Sequence, residues 1–190
     1  MEKENYFETI KCDDCEVLNL SYHCNRIANT IALNINLQDY IYPPSNKLLK
    51  CKVIYNDEGV LNVVYSEYKK REIKSFKIIF DDNIEYSKKS TNRDRLDLLY
   101  KKRDNCDEII IIKNGIVHDT SIANIAILYK GTWITSSSYL LKGTTRTRYI
   151  NENLLIEKDI TLDMLKDAQK IALMNAMIDF DELSDYSLSL

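Results

Sequence analysis

The chain has 190 residues, 45% of them hydrophobic and 29% charged, with 26 Lys and Arg against 29 Asp and Glu. That composition excludes a disordered or fibrous polypeptide and permits a core large enough to carry a site without disulfide or metal staples. A formal charge of -3 lacks the broad basic field that sequence-independent nucleic-acid binding needs, so no nucleic-acid partner is expected.

Met1 to Asn5 is charged and polar, and no apolar run approaches the ~20 residues of a spanning helix, so neither signal peptide nor membrane anchor is expected. Cys12, Cys15, Cys24, Cys51 and Cys106 are odd in number and scattered, as reduced thiols in a cytoplasm would be. The expected setting is therefore soluble and cytoplasmic.

Tyr6 to Lys11 and Glu16 to Leu18 form two β-type runs around an acidic turn, which predicts a hairpin. From Ser21, placed to cap a helix, the period changes: Leu20, Cys24, Ile27, Ile31 and Ile35 recur at three and four residues. Pro43 and Pro44 break the chain. Lys50 to Tyr55, Val60 to Tyr65 and Lys74 to Phe80 then predict a three-stranded meander beside the helix. A small α+β domain over 1–82 and a polar linker over 83–89 follow.

The larger domain, 90–190, opens with a predicted helix from Asn92 to Arg103, with Leu96, Leu99 and Tyr100 on one face. Ile109 to Ile112 is a continuous apolar run, expected to be buried on both sides. Asn114-Gly115 predicts a tight turn, and Ile116-Val117, Asn124 to Tyr129 and Thr132 to Thr135 predict further strands. Helices are expected from about Thr144 and from Thr161, the latter facing inward with Leu162, Leu165 and Ala168.

Cys12 and Cys15 have the spacing of a zinc or redox half-site, but no second such pair completes four ligands, so no metal is expected. Four glycines leave little material for a nucleotide-cradling loop, and neither phosphate-loop nor dinucleotide signature occurs. Gly143-Thr144-Thr145 at a helix start suits an anion as well as it suits an ordinary threonine cap. Lys88 to Arg95 reads equally as a solvated helix start.

The order of these pieces resembles the class IV aminotransferase family, the fold-type IV enzymes that use pyridoxal phosphate. The resemblance runs through Phe7-Glu8-Thr9, His23-Cys24-Asn25-Arg26, Lys89 to Arg93, Cys106 to Ile109, Asn114 to Asn124, Gly131 to Thr135 and Leu140 to Arg146. It implies a two-domain α+β fold, a small antiparallel domain followed by a larger β-rich one carrying most of the cofactor site. It also implies a homodimer with each active site in a cleft between the domains.

Carried over by position, the resemblance makes Lys89 the Schiff-base lysine, a role that needs an amine activated by nearby cations such as Lys88 or Arg93, or by burial. Lys88 is its rival. Asp119 stands where the family usually has glutamate, the carboxylate that pairs with the pyridine nitrogen. Arg26, Thr144 and Thr145 match the phosphate-binding residues. Ser121 and Asn124 are lesser candidates, and Thr9, Lys52 and Asn175 are candidate substrate-lining residues, with Lys52 in place of a family arginine.

Met174-Asn175-Ala176-Met177 looks like the segment of the family's 4-amino-4-deoxychorismate lyases. Such a lyase releases pyruvate and leaves 4-aminobenzoate, a folate precursor. The alternatives are an aminotransferase acting on D- or branched-chain amino acids, and a non-catalytic cofactor-binding or structural member.

Overall fold

The computed structural model describes residues 3–190. The chain divides into two compact units, one formed by residues up to Lys70 with Lys88–Asn92, the other by Arg71–Ser87 with Arg93–Leu190.

In the first unit, strands β1 (Tyr6–Asp13) and β2 (Glu16–Val17) form the expected hairpin, followed by helix α1 (Leu20–Ile31) and strands β3 (Leu49–Asn56) and β4 (Gly59–Glu67). The sheet order is β2-β1-β3-β4, antiparallel throughout. Strand alternation decides what each face carries. Tyr6, Ile10 and Cys12 of β1 join Cys51, Val53 and Tyr55 of β3 in a core covered by Ile27, Leu20, Cys24 and Ile31 of α1. Phe7 and Thr9 face the other way, with Lys52 directly opposite Thr9.

Two details of α1 correct the sequence expectation. Its N-cap is Asn19, held in the left-handed region at φ 56 with no capping side-chain bond, and Ser21 lies inside the first turn. Asparagine tolerates that conformation, which the sharp entry from β2 demands. The helix stops at Ala32, also left-handed, whose amide donates to the Ala28 carbonyl, so Ile35 joins the core from beyond the helix.

The second unit contains β5 (Ser75–Phe80), α2 (Asp94–Lys101), β6 (Glu108–Lys113), β7 (Ile116–Val117), β8 (Asn124–Tyr129), β9 (Thr132–Thr135), α3 (Thr144–Asn151), β10 (Ile156–Glu157), α4 (Leu162–Lys166), β11 (Lys170–Asn175), β12 (Asp179–Leu183) and β13 (Ser187–Ser189). Its sheets run β13-β5-β6-β7 and β10-β9-β8-β11-β12. The isoleucine run of β6 explains the packing: Ile110 and Ile112 share a core with Ile125, Ile127, Ile171 and Leu173 of the other sheet. Ile109 and Ile111 meet Leu96 and Leu99 of α2 on the opposite face. A strand buried on both sides reads as continuously apolar for this reason.

The strand over 74–80, expected to complete the first unit's meander, instead pairs in parallel with β6. Ile78 and Ile79 are both buried, and only a strand covered on both faces provides for that. The expected division into 1–82, 83–89 and 90–190 is thereby corrected. Ile84 is fully buried in the α2 core, while the Lys89 carbonyl accepts the Phe7 amide at 2.9 Å, so the polar segment is packed rather than a free linker. At the C-terminus α4 covers only five residues and leaves Ala168 outside, because the apolar run that follows becomes β11, paired with β8 and β12. Among the described residues no helix is long and apolar enough to cross a membrane.

Candidate active site

In the first unit, Lys89 and Lys88 have different surroundings. Lys89 is half-buried, its Nζ 4.7 Å from the centre of the Phe7 ring, while Lys88 is exposed beside Tyr6. Lys52 brings a second ammonium to Phe7, 4.8 Å from the same ring centre. Aromatic faces attract cations, so Phe7 collects both lysines. Lys89, Lys52 and Thr9 are thus gathered around one sheet face. Arg93, the other cation offered by the sequence, is engaged elsewhere: it donates to the Ser121 carbonyl at 2.9 Å.

On the opposite face lies a residue that was not a site candidate from the sequence. Glu8 is fully buried; its Oε1 accepts from Arg26 Nε at 2.8 Å, its Oε2 bonds Arg26 Nη2, and His23 Nδ1 lies 2.6 Å from Oε2. His23 and Arg26 are one turn apart on α1, so both reach the same carboxylate. Alternation along β1 carries the signal, since Glu8 occupies an inward position between Tyr6 and Ile10.

Burial pushes the Glu8 carboxyl up, but the Arg26 charge and the bonds from His23 and Arg26 outweigh it and hold the pKa at about 2. Because the folded value lies below the ordinary 4.5, the stabilisation is present above about pH 4.5 and is lost as pH falls toward 2. That shift corresponds to about 3 kcal/mol. The melting-temperature gap between wild type and Glu8→Gln should therefore narrow steadily from pH 5 to pH 2; a constant gap would contradict the assignment.

The second unit holds the other candidates. Asp119 is buried, with Oδ1 accepting from Asn124 Nδ2 at 2.7 Å and Oδ2 accepting the backbone amides of Leu140 and Leu141 at 3.0 and 2.9 Å. Burial raises its carboxyl to about 6 against the pull of the Leu141 amide, Asn124, the Leu140 amide and the Arg146 charge. A carboxylate has about four acceptor positions, so these three bonds leave Oδ1 able to accept one more donor. The 140–141 amides come to this aspartate, which is one methylene shorter than the glutamate usual in the family.

Asn124, only a lesser candidate from the sequence, turns out to join these parts. Its Nδ2 also donates to the Leu141 carbonyl at 2.9 Å, and a Cβ on Gly143 would lie 1.8 Å from its Oδ1. Gly143 has φ -69, so space rather than backbone conformation requires glycine there. Gly143 is also the N-cap of α3, with no capping side chain, and Thr144 and Thr145 are buried in the first turn. The ordinary threonine cap is thus corrected: the cap position is glycine, and the first-turn amides meet no capping side chain. Ser121 has a supporting place, its amide 3.3 Å from the Glu108 carboxylate. Asn175 ends β11, donating to the Ile122 carbonyl and accepting the Met177 and Ile178 amides, which makes it a turn anchor.

Each unit carries groups of the chemical type that pyridoxal phosphate requires. In the first, Lys89 supplies a primary amine and Arg26 a guanidinium suited to phosphate; in the second, Asp119 can accept a ring N–H and the α3 N-terminus favours an anion.

Residues 60–180 match the model of the family described as amino-transferase class IV. A Haemophilus influenzae protein named only as uncharacterised is 32% identical over 182 residues, covering 90% of this chain and 96% of its own. A Haemophilus somnus 129PT structure, named as that of a candidate 4-amino-4-deoxychorismate lyase, is 30% identical with TM-score 0.85, over 93% of this chain and 98% of its own. A hypothetical aminotransferase from Mycobacterium tuberculosis, solved in a PLP-bound form, shares the fold with TM-score 0.77 at 15% identity, over 98% of this chain and 81% of its own.

Proposed function

The chain belongs to the amino-transferase class IV family, a family of pyridoxal-phosphate enzymes with the fold-type IV α+β architecture, and from that premise we propose that it is a 4-amino-4-deoxychorismate lyase. The observation that carries the choice of reaction is the similarity, over nearly the whole length of both chains, to the Haemophilus somnus protein of that name. The ammonium of Lys52 beside Thr9 agrees with it, since it suits a substrate bearing carboxylates.

Each residue has a task. Arg26 and the Thr144 and Thr145 amides are the groups that would hold the cofactor phosphate. Asp119, ionised at neutral pH, holds the proton on the pyridine nitrogen, and Asn124 with the 140–141 amides keeps that carboxylate oriented. Bound pyridoxal phosphate supplies an electron sink for the carbon that carries the substrate amine.

Lys89 would hold the cofactor through its amine and, once freed, would be the general base that takes the proton from that ring carbon. Lys52 receives the enolpyruvyl carboxylate, with Thr9 as a further substrate-lining residue. As the ring becomes aromatic the carbon–oxygen bond to the side chain breaks, and the proton is returned to the departing methylene carbon. The products are 4-aminobenzoate and pyruvate, with no co-substrate consumed. The enzyme is taken to act as a cytoplasmic homodimer.

The test is product identity. The protein loaded with pyridoxal phosphate and given enzymatically generated aminodeoxychorismate should release both products at a rate that depends on enzyme concentration. Conversion of D- or branched-chain amino acids to keto acids, without either product from aminodeoxychorismate, would instead establish an aminotransferase.

A further inference from the structure

A fully buried carboxylate beside the arginine assigned to a phosphate calls for an explanation, because its charge opposes that of the ligand. Glu8 contributes one negative charge, Arg26 one positive charge, and burial keeps His23 on the neutral side. The three residues therefore exert almost no net attraction on a distant anion. What they gain is geometry: Glu8 takes both Nε and Nη2 of Arg26, which fixes the plane and roll of the guanidinium. His23 locks the carboxylate in turn through Nδ1, while its buried Nε2 has no hydrogen-bond partner among the described residues. Leaving a buried acceptor unpaired is costly, so the ring is held there for its bond to Glu8.

We propose that Glu8 is a positioning residue for phosphate recognition, acting through Arg26 by holding the guanidinium in one orientation. This rests on the assignment of Arg26 as a phosphate ligand. An arginine stem has many rotamers, and a fork held in one of them loses less freedom when it binds. His23 belongs to the same device, as the group that holds the carboxylate of Glu8.

Removing a negative charge near an anion site should tighten anion binding if charge alone matters, and should loosen it if Glu8 works by positioning. The test measures affinities of the full chain, freed of cofactor, for pyridoxine 5'-phosphate and for pyridoxine, neither of which can react with Lys89. The ratio of the two affinities reports the phosphate grip, and a general loss of stability would not move it selectively. In Glu8→Gln the phosphorylated probe should weaken about tenfold while pyridoxine is unchanged, and Arg26→Gln should lower the ratio at least as far.

If Glu8→Gln fails to fold, Glu8→Asp serves: its charge remains, but the stem is one methylene shorter and the carboxylate no longer reaches both nitrogens, and the same loss is expected. An unchanged or increased ratio in the Glu8 variants, with the Arg26→Gln loss intact, overturns the positioning role and leaves Arg26 as the phosphate ligand. An Arg26→Gln ratio equal to wild type overturns both.

Discussion

Replacing Lys89 with alanine is expected to lower turnover about a thousandfold or more and to remove the visible absorbance that the wild type acquires with pyridoxal phosphate. The same change at Lys88 should leave both within about twofold, as for surface sites away from the chemistry. The contrast rests on position. Lys89 is half-buried with its ammonium over Phe7 and its carbonyl bonded to the Phe7 amide, so its backbone is tied to β1. Lys88 is exposed and lies over Tyr6. The two variants differ from wild type by the same side chain one residue apart, so composition and net charge cannot account for a difference between them. Equal losses would show that the cationic character of the segment, rather than one amine, matters.

Gly143→Ala is expected to be nearly as damaging although it adds one methyl group. The new Cβ would sit 1.8 Å from Asn124 Oδ1 and 3.1 Å from its Cγ. Asn124 cannot simply swing aside, because it is buried and tied to both Asp119 and the Leu141 carbonyl. Something must yield: the carboxamide leaves Asp119, or the α3 start shifts. Overpacking of this kind costs about 1 to 3 kcal/mol, and breaking buried hydrogen bonds adds about 1 to 3 kcal/mol.

A fall in melting temperature should therefore accompany a weakening of pyridoxal phosphate binding by about tenfold or more. The double variant Gly143→Ala, Asn124→Ala separates the two effects. It should recover part of the stability, since the clash is gone, but none of the cofactor affinity, since Asp119 has lost its bond. Recovery of both would mean that Asn124 does not orient Asp119.

The strongly periodic parts of the chain were apparent from its residues. The β1–β2 hairpin, the apolar stripe of α1 and the doubly buried isoleucines of β6 each follow from local alternation or from a run that only two packed faces explain. The partner of β5 was not apparent, because parallel pairing leaves no mark on a strand beyond its apolar character. Ile171 to Met174 is equally apolar all round, and its four residues suit the end of a helix as well as a strand.

The site divides in the same way. Lys89, Arg26, Asp119 and the α3 start are site candidates because of the ordered motifs. Glu8 lies within one of those motifs, and its inward register follows from alternation along β1. The wedge formed by Asn124 and Gly143 depends on two segments meeting side chain to backbone, and spacing along a chain carries no trace of that.

The choice between elimination and amino transfer comes down to the fate of one nitrogen. Aminodeoxychorismate labelled with nitrogen-15 at its amine, given to the enzyme loaded with pyridoxal phosphate, should return all of the label in 4-aminobenzoate, with one pyruvate formed per aminobenzoate and no keto acid required. Label appearing on the cofactor, or on an added keto acid, with no aminobenzoate formed, would contradict the lyase assignment.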